Sequence, residues 1–242
     1  MIMKTRIFRA IALVAALAAA RGTAAQTLDV HEDQQRTTPS RWFGSFSLLA
    51  AQPLGEFDDY INVGGGVSGG VMYQLGPNSP VALRIDAGYV LYGSEKTRIH
   101  PFPRLEGDIT TNNSIVFAGI GPQFMVPDGM FRPYLGGSVG LAYFFTQSSL
   151  DGITSGSDQI LETTNFDDVT FALSGAGGIY IPLKRGLKPI SLDIGARYHA
   201  NGRARYLREG SIQDNPDNSI TIDPIESETN LLTWHLGIAV GF

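Results

Sequence analysis

Arg84 and Asp86 stand two residues apart in "VALRIDAGYVLY", and Asp193 and Arg197 stand four apart in "ISLDIGARYHAN". In an extended strand an even spacing puts both members of each pair on one face. The rest of those faces holds no further Asp, Glu, Lys or Arg, so the four residues are isolated charges. Charges removed from water persist only when paired, and a salt-bridge network is the simplest chemistry they support. The other use of such a constellation is a gated path for an ion or solute. His199 shares the face of Asp193 and Arg197, and His235 lies on the small-residue face of "WHLGIAVGF". Each is expected to be a hydrogen-bonded histidine. The chain has no cysteine, which removes thiol and thiolate-metal chemistry, and its residues call for no metal or cofactor.

The elements that position these residues are eight alternating segments, each about ten residues long. They are "WFGSFSLLAA", "VGGGVSGGVMYQL", "VALRIDAGYVLY", "SIVFAGIGPQF", "PYLGGSVGLAYFF", "VTFALSGAGGIYI", "ISLDIGARYHAN" and "WHLGIAVGF". Each has one apolar face and one face made mostly of Gly, Ser, Thr and Ala, while helical periodicity is absent. The connections alternate in length. "GPNSP", "VPDGMFR" and "PLKRGLKP" are short, and the long ones include "GSEKTRIHPFPRLEGDITTNN", "TQSSLDGITSGSDQILETTNFDD" and "GRARYLREGSIQDNPDNSITIDPIESETN". Tight turns alternating with long loops predict an antiparallel up-and-down sheet with one plain end and one elaborated end. Pro122 interrupts the fourth segment and removes an amide donor there.

A soluble barrel and a membrane barrel share this alternation, and the polar face separates them. No Lys falls in any of the eight segments. Small residues suit the crowded interior of eight strands, which is just wide enough to be filled by side chains. On the apolar face Trp42, Tyr73, Phe124 and Phe242 gather toward the short turns, and Tyr89, Tyr143 and Trp234 toward the long loops. Two aromatic girdles bounding an aliphatic band match two membrane interfaces. The predicted fold is all-β, an eight-stranded antiparallel up-and-down transmembrane β-barrel. Unpaired backbone is costly in hydrocarbon, so the last segment must pair with the first. Trp234, Leu236, Ile238, Val240 and Phe242 then form the lipid face of the closing strand.

At the other end, Lys4, Arg6 and Arg9 precede the run "IALVAALAAA", which is too short to span a bilayer and reads as a signal peptide over residues 1–25. Residues 26–40 form a polar lead-in and residues 41–242 the barrel. Cleavage removes four of the 18 basic residues and no acid, leaving 14 against 23, a net charge of −9. Such a balance argues against a nucleic-acid partner.

With Phe242 and Val240, Ile238 and Leu236 behind it, "AAQPLGEF" and "FRPYLGGSVGLAYFF", the whole mature chain resembles the eight-stranded bacterial outer-membrane barrels of the OmpA/OmpX and opacity-protein kind. The likeness implies outer-membrane lipid and lipopolysaccharide as surroundings, both termini in the periplasm, and a terminal strand read as an assembly signal by the barrel assembly machinery. A second resemblance is partial. "HAN" at 199–201 is similar to part of the His-x-Ser-Asn pattern of outer-membrane lipid A deacylases, but Asn201 stands where that pattern has its nucleophile.

The resulting expectation is a non-enzymatic outer-membrane protein, structural or surface-interacting, whose long loops contact the outside and offer a surface to an unknown extracellular ligand. The alternatives are a lipid A-modifying hydrolase centred on His199 and a narrow porin-like channel. Asp151, Asp158, Glu162, Asp167 and Asp168 crowd one loop and read as a solvated acidic face without calcium-loop spacing.

Overall fold

The computed structural model describes residues 40–76, 78–102, 105–151, 161–207, 211–214 and 220–242. The signal peptide and almost all of the lead-in lie outside the described residues, as does Asp158.

Eight strands close into a ring: β1 (Trp42–Pro53), β2 (Gly64–Gln74), β3 (Val81–Phe102), β4 (Leu105–Met125), β5 (Arg132–Asp151), β6 (Leu161–Lys184), β7 (Ile190–Asn201) and β12 (Leu231–Gly241). Every pairing is antiparallel between neighbours. The seam is β1 against β12, continuous from Phe43 opposite Gly241 to Pro53 opposite Leu231. The Phe242 amide extends it by donating to the Trp42 carbonyl at 3.0 Å.

Side-chain direction follows the alternation. Leu135 is 70% exposed while its neighbour Tyr134 is 4% exposed. Phe46, Ile85, Phe171 and Ile238 likewise stand on the outer wall, whereas Ser47, Asp86, Thr170 and Ala239 are buried inside. An apolar outer wall of this extent is not stable in water and fits a membrane-spanning barrel. The girdles are visible as contacts. Trp42 and Tyr73 pack at 4.7 Å with Arg41 over the Tyr73 ring, and Tyr143 stacks on Phe145 at 5.3 Å near the other rim.

The described residues of two segments read as loops are strand instead. β3, β4, β5 and β6 run for 22, 21, 20 and 24 residues, against the roughly 9–11 that cross a bilayer. The ladder β3–β4 continues to Phe102 opposite Leu105, and β5–β6 to Leu150 opposite Leu161. Alternation fades there because these stretches leave the lipid band. What carries the ladder on is polar cross-strand pairing, such as Thr146 Oγ1 donating to Asn113 at 2.6 Å and Thr111 against Ser148 at 2.8 Å.

The loop after β7 is also structured. β8 (Arg203–Tyr206) pairs with β11 (Ile225–Glu228), and β9 (Ile212–Asp214) pairs with β10 (Ile220–Ile222). The loop after β1 holds a single 3-10 turn at Gly55–Phe57. Pro122 sits on the outer wall, where the β4–β5 register passes from Ile120 opposite Val139 to Gln123 opposite Gly136. A dent of about 430 Å³ lies beside it, floored by Gly121, Gly137 and Gly175.

Candidate functional site in the barrel lumen

The lumen is filled in three tiers. In the middle tier Arg197 spans the barrel and donates from two nitrogens to both oxygens of Asp86, at 2.6 and 2.7 Å. Its Nη1 also reaches the Ser138 and Ser174 hydroxyls, which bond each other at 2.7 Å. Arg84 lies 3.3 Å from Asp86 through Nε, while its Nη1 donates to Gln123 and to the Tyr180 hydroxyl. Asp86 is thus held by the Arg197 fork, with Arg84 in ion-pair range but its buried Nε making no hydrogen bond. Gly70 and Gly119 flank Asp86 on β2 and β4 and leave room for both arginines.

Asp193 does not join that cluster. Its Oδ1 accepts from the Tyr134 hydroxyl at 2.8 Å and lies 3.3 Å from His235 Nε2, and Tyr134 and His235 themselves meet at 2.8 Å. Its Oδ2 is buried without a hydrogen-bond partner. The four charges therefore divide into an Arg84–Asp86–Arg197 cluster and an Asp193–Tyr134–His235 cluster. The four charges expected to form one salt-bridge network are thus split, because Arg197 is drawn across the ring to Asp86 and leaves Asp193 to Tyr134 and His235. A bidentate guanidinium-carboxylate pair is the stronger contact.

His199 is buried on the loop side of this tier, with Nε2 3.3 Å from the Thr233 hydroxyl and its ring 4.7 Å from Phe117. It does not meet His235, although the two lie on paired strands. His199 faces Leu231 and His235 faces Gly195, four positions along the ladder. Trp234, Leu236, Ile238, Val240 and Phe242 all stand on the outer wall, with Phe242 63% exposed.

The tier toward the short turns contains Tyr134 stacked on Tyr180 at 4.6 Å, with Met72, Met125 and Gln123. The tier toward the long loops is apolar: Leu49, Val90, Ile115, Phe117 and Phe144 point inward. Phe57 from the first loop and Tyr206 from the last drop onto them. Phe57 meets Tyr206, Tyr92 and Phe144 edge-on at 5.1, 5.9 and 6.1 Å. The loop segments are tied in place by Leu54 donating to Asn230, the Glu228 amide to Glu56 and the Arg205 amide to Asp168. The cavities left in the middle tier are about 10 and 20 Å³, room for about one water each.

Sequence reasoning missed Tyr134, Gln123 and Tyr180 as partners of the charges, and it missed the apolar plug. A signal for the large inward residues lies in the neighbouring strands, where glycine stands under each ring. A Cβ on Gly88 would meet Phe117, one on Gly178 would come 2.7 Å from Tyr134 Cζ, and one on Gly195 would come 2.8 Å from His235 Cε1. The plug carries no such local sign, since Phe57 and Tyr206 are 149 positions apart and only closure brings them together.

A closed eight-strand ring, an apolar wall and a packed lumen coincide here. This is the fold of small outer-membrane barrels. The chain is similar to Neisserial surface protein A, with 15% identity and a TM-score of 0.39 over 84% of this chain and 98% of that one. It is similar to Ail, the attachment invasion locus protein of Yersinia pestis, solved with the heparin analogue sucrose octasulfate, with 11% identity and a TM-score of 0.42 over 84% and 99%. It is also similar to the outer membrane protein OprG from Pseudomonas aeruginosa, with 9% identity and a TM-score of 0.48 over 85% and 97%. No family model and no curated protein matches the chain.

Proposed function

We propose that the protein is a non-enzymatic outer-membrane barrel that acts at its loop-bearing end, with both chain ends on the periplasmic side. On this reading lipid and lipopolysaccharide surround its wall, and the strand ending at Phe242 is read by the barrel assembly machinery. The observation that carries the proposal is the filled lumen. Two ionic clusters occupy its middle and an aromatic plug occupies its loop end, so the interior serves as a rigid core and the exposed surface is left to the projecting hairpins β3–β4 and β5–β6.

A lipid-directed hydrolase is disfavoured by His199, which is buried on the inner wall against Phe117 and away from lipid. A channel is disfavoured by the size of the residual cavities. The test is to shorten the β3–β4 and β5–β6 hairpins beyond the lipid band and compare surface adhesion and envelope integrity with the intact protein. The expected outcome is a heat-modifiable barrel that has lost those phenotypes. Full activity in both shortened forms would sink the reading. Stepwise conductance in planar bilayers would favour the channel instead, and altered lipid A in mass spectrometry would favour the hydrolase.

A further inference from the structure

The short-turn end of the barrel opens into a cup of about 250 Å³ whose floor is formed by the buried polar side chains Gln74 and Ser191. Three cations line it: Arg132 at the start of β5, and Lys184 and Arg185 where β6 runs into its turn. Asp128 is the acid in the same lining. Among the described residues none of the three cations lies in an ion pair, whereas Arg84, Arg197 and Arg203 all do. Arg132 instead uses Nε on the Val126 carbonyl at 3.1 Å and Nη2 on the soft thioether of Met125 at 3.5 Å. The lining thus carries three cations against the one carboxylate of Asp128.

The cup is also held in shape. Arg185 donates to the Gly129 carbonyl at 3.1 Å and joins the β4–β5 turn to the β6–β7 turn. Ser40 donates to the Leu187 carbonyl at 2.6 Å and fixes the same rim from the other side. Three like charges on a braced rim, only one of them matched by Asp128, cost stability that a bound anion would restore. Guanidinium groups offer forked donors suited to phosphate oxygens, and an ammonium adds a point charge. The volume is just below the range of drug-sized pockets, which suits a phosphate with the small group that carries it.

We propose that this cup is a phosphate-binding site, built by Arg132, Lys184 and Arg185, that takes a phosphate ester. The ester comes either from the headgroup of an anionic phospholipid in the adjoining leaflet or from a soluble phosphorylated solute.

The test uses the mature protein folded in zwitterionic micelles and in nanodiscs. One arm titrates glycerol 3-phosphate and inorganic phosphate into the micelle form and follows binding by calorimetry. The other compares phosphatidylglycerol-doped with pure phosphatidylcholine nanodiscs by native mass spectrometry. Saturable binding in either arm, weakened roughly tenfold or more by Arg132→Gln and by Arg185→Gln, is expected. Binding in the first arm alone identifies the soluble source, and binding in the second alone the lipid. Lys188→Gln, in the same turn but outside the cup lining, serves as the charge control and should leave binding unchanged. Arg185 lies in the turn, so its variant reports even where Arg132→Gln fails to fold. No saturable binding in either arm overturns the proposal, as does an equal loss in the Lys188 variant.

Discussion

Arg197 grips both carboxylate oxygens of Asp86 from the opposite side of the ring, 111 positions along the chain. Arg84, two residues from Asp86, makes the weaker contact. Arg197→Ala is therefore expected to destabilise the barrel by about 3–5 kcal/mol, the cost of breaking a buried pair, and Arg84→Ala by clearly less because Asp86 keeps its bidentate partner. Urea unfolding in lipid vesicles measures both. An Arg84 variant at least as unstable as the Arg197 variant contradicts this ranking.

The second cluster predicts a coupled pair. Tyr134→Phe withdraws the hydroxyl that bonds Asp193 and contacts His235, leaving Asp193 Oδ1 with only its longer 3.3 Å contact to His235, at a cost of about 1–3 kcal/mol. Adding Asp193→Asn removes the stranded charge. The double variant should lose less stability than the two single losses combined, and strict additivity would show that Tyr134 and Asp193 do not act together.

The plug at the loop end makes a structural prediction. Phe57 is fully buried among Tyr92, Phe144 and Tyr206, so Phe57→Ala should cost about 3–5 kcal/mol if the site cannot collapse. Its earlier sign is local: the loop around Tyr206 and Leu207 should become cleavable by protease while the strands stay protected. Unchanged cleavage at that loop would mean the plug does not hold it down.

At the seam, Gly237 on β12 faces Ser47 on β1, and a Cβ there would be driven into the Phe46 backbone and the Ser47 side chain. Gly237→Val should block closure and abolish the heat-modifiable folded band. Gly175→Ala is the control, since a Cβ at that position meets nothing within 4 Å. Folding of the Gly237 variant at normal yield would show that the seam tolerates a wider spacing than its glycine provides.

The strand faces were legible in the amino-acid sequence because a barrel wall separates two environments, and period-two alternation records that separation residue by residue. Leu135 outward and Tyr134 inward, or Ile85 outward and Asp86 inward, follow from parity alone. Parity also placed Arg84, Asp86, Asp193, Arg197, His199 and His235 on the inner wall. It said nothing about which of them meet. Ring closure and strand stagger carried Arg197 to Asp86 and left Asp193 to Tyr134 and His235, because partners across a lumen are set by depth along the axis and not by spacing in the chain. The strand extensions past the lipid band were hidden for a related reason: beyond the lipid the outer face no longer has to be apolar, so the alternation fades, and buried polar pairs such as Asn113 with Thr146 carry the ladder on. Phe57 and Tyr206 sit in segments without periodicity, and the plug they form exists only because closure brings the rims of the first and last loops to the same mouth.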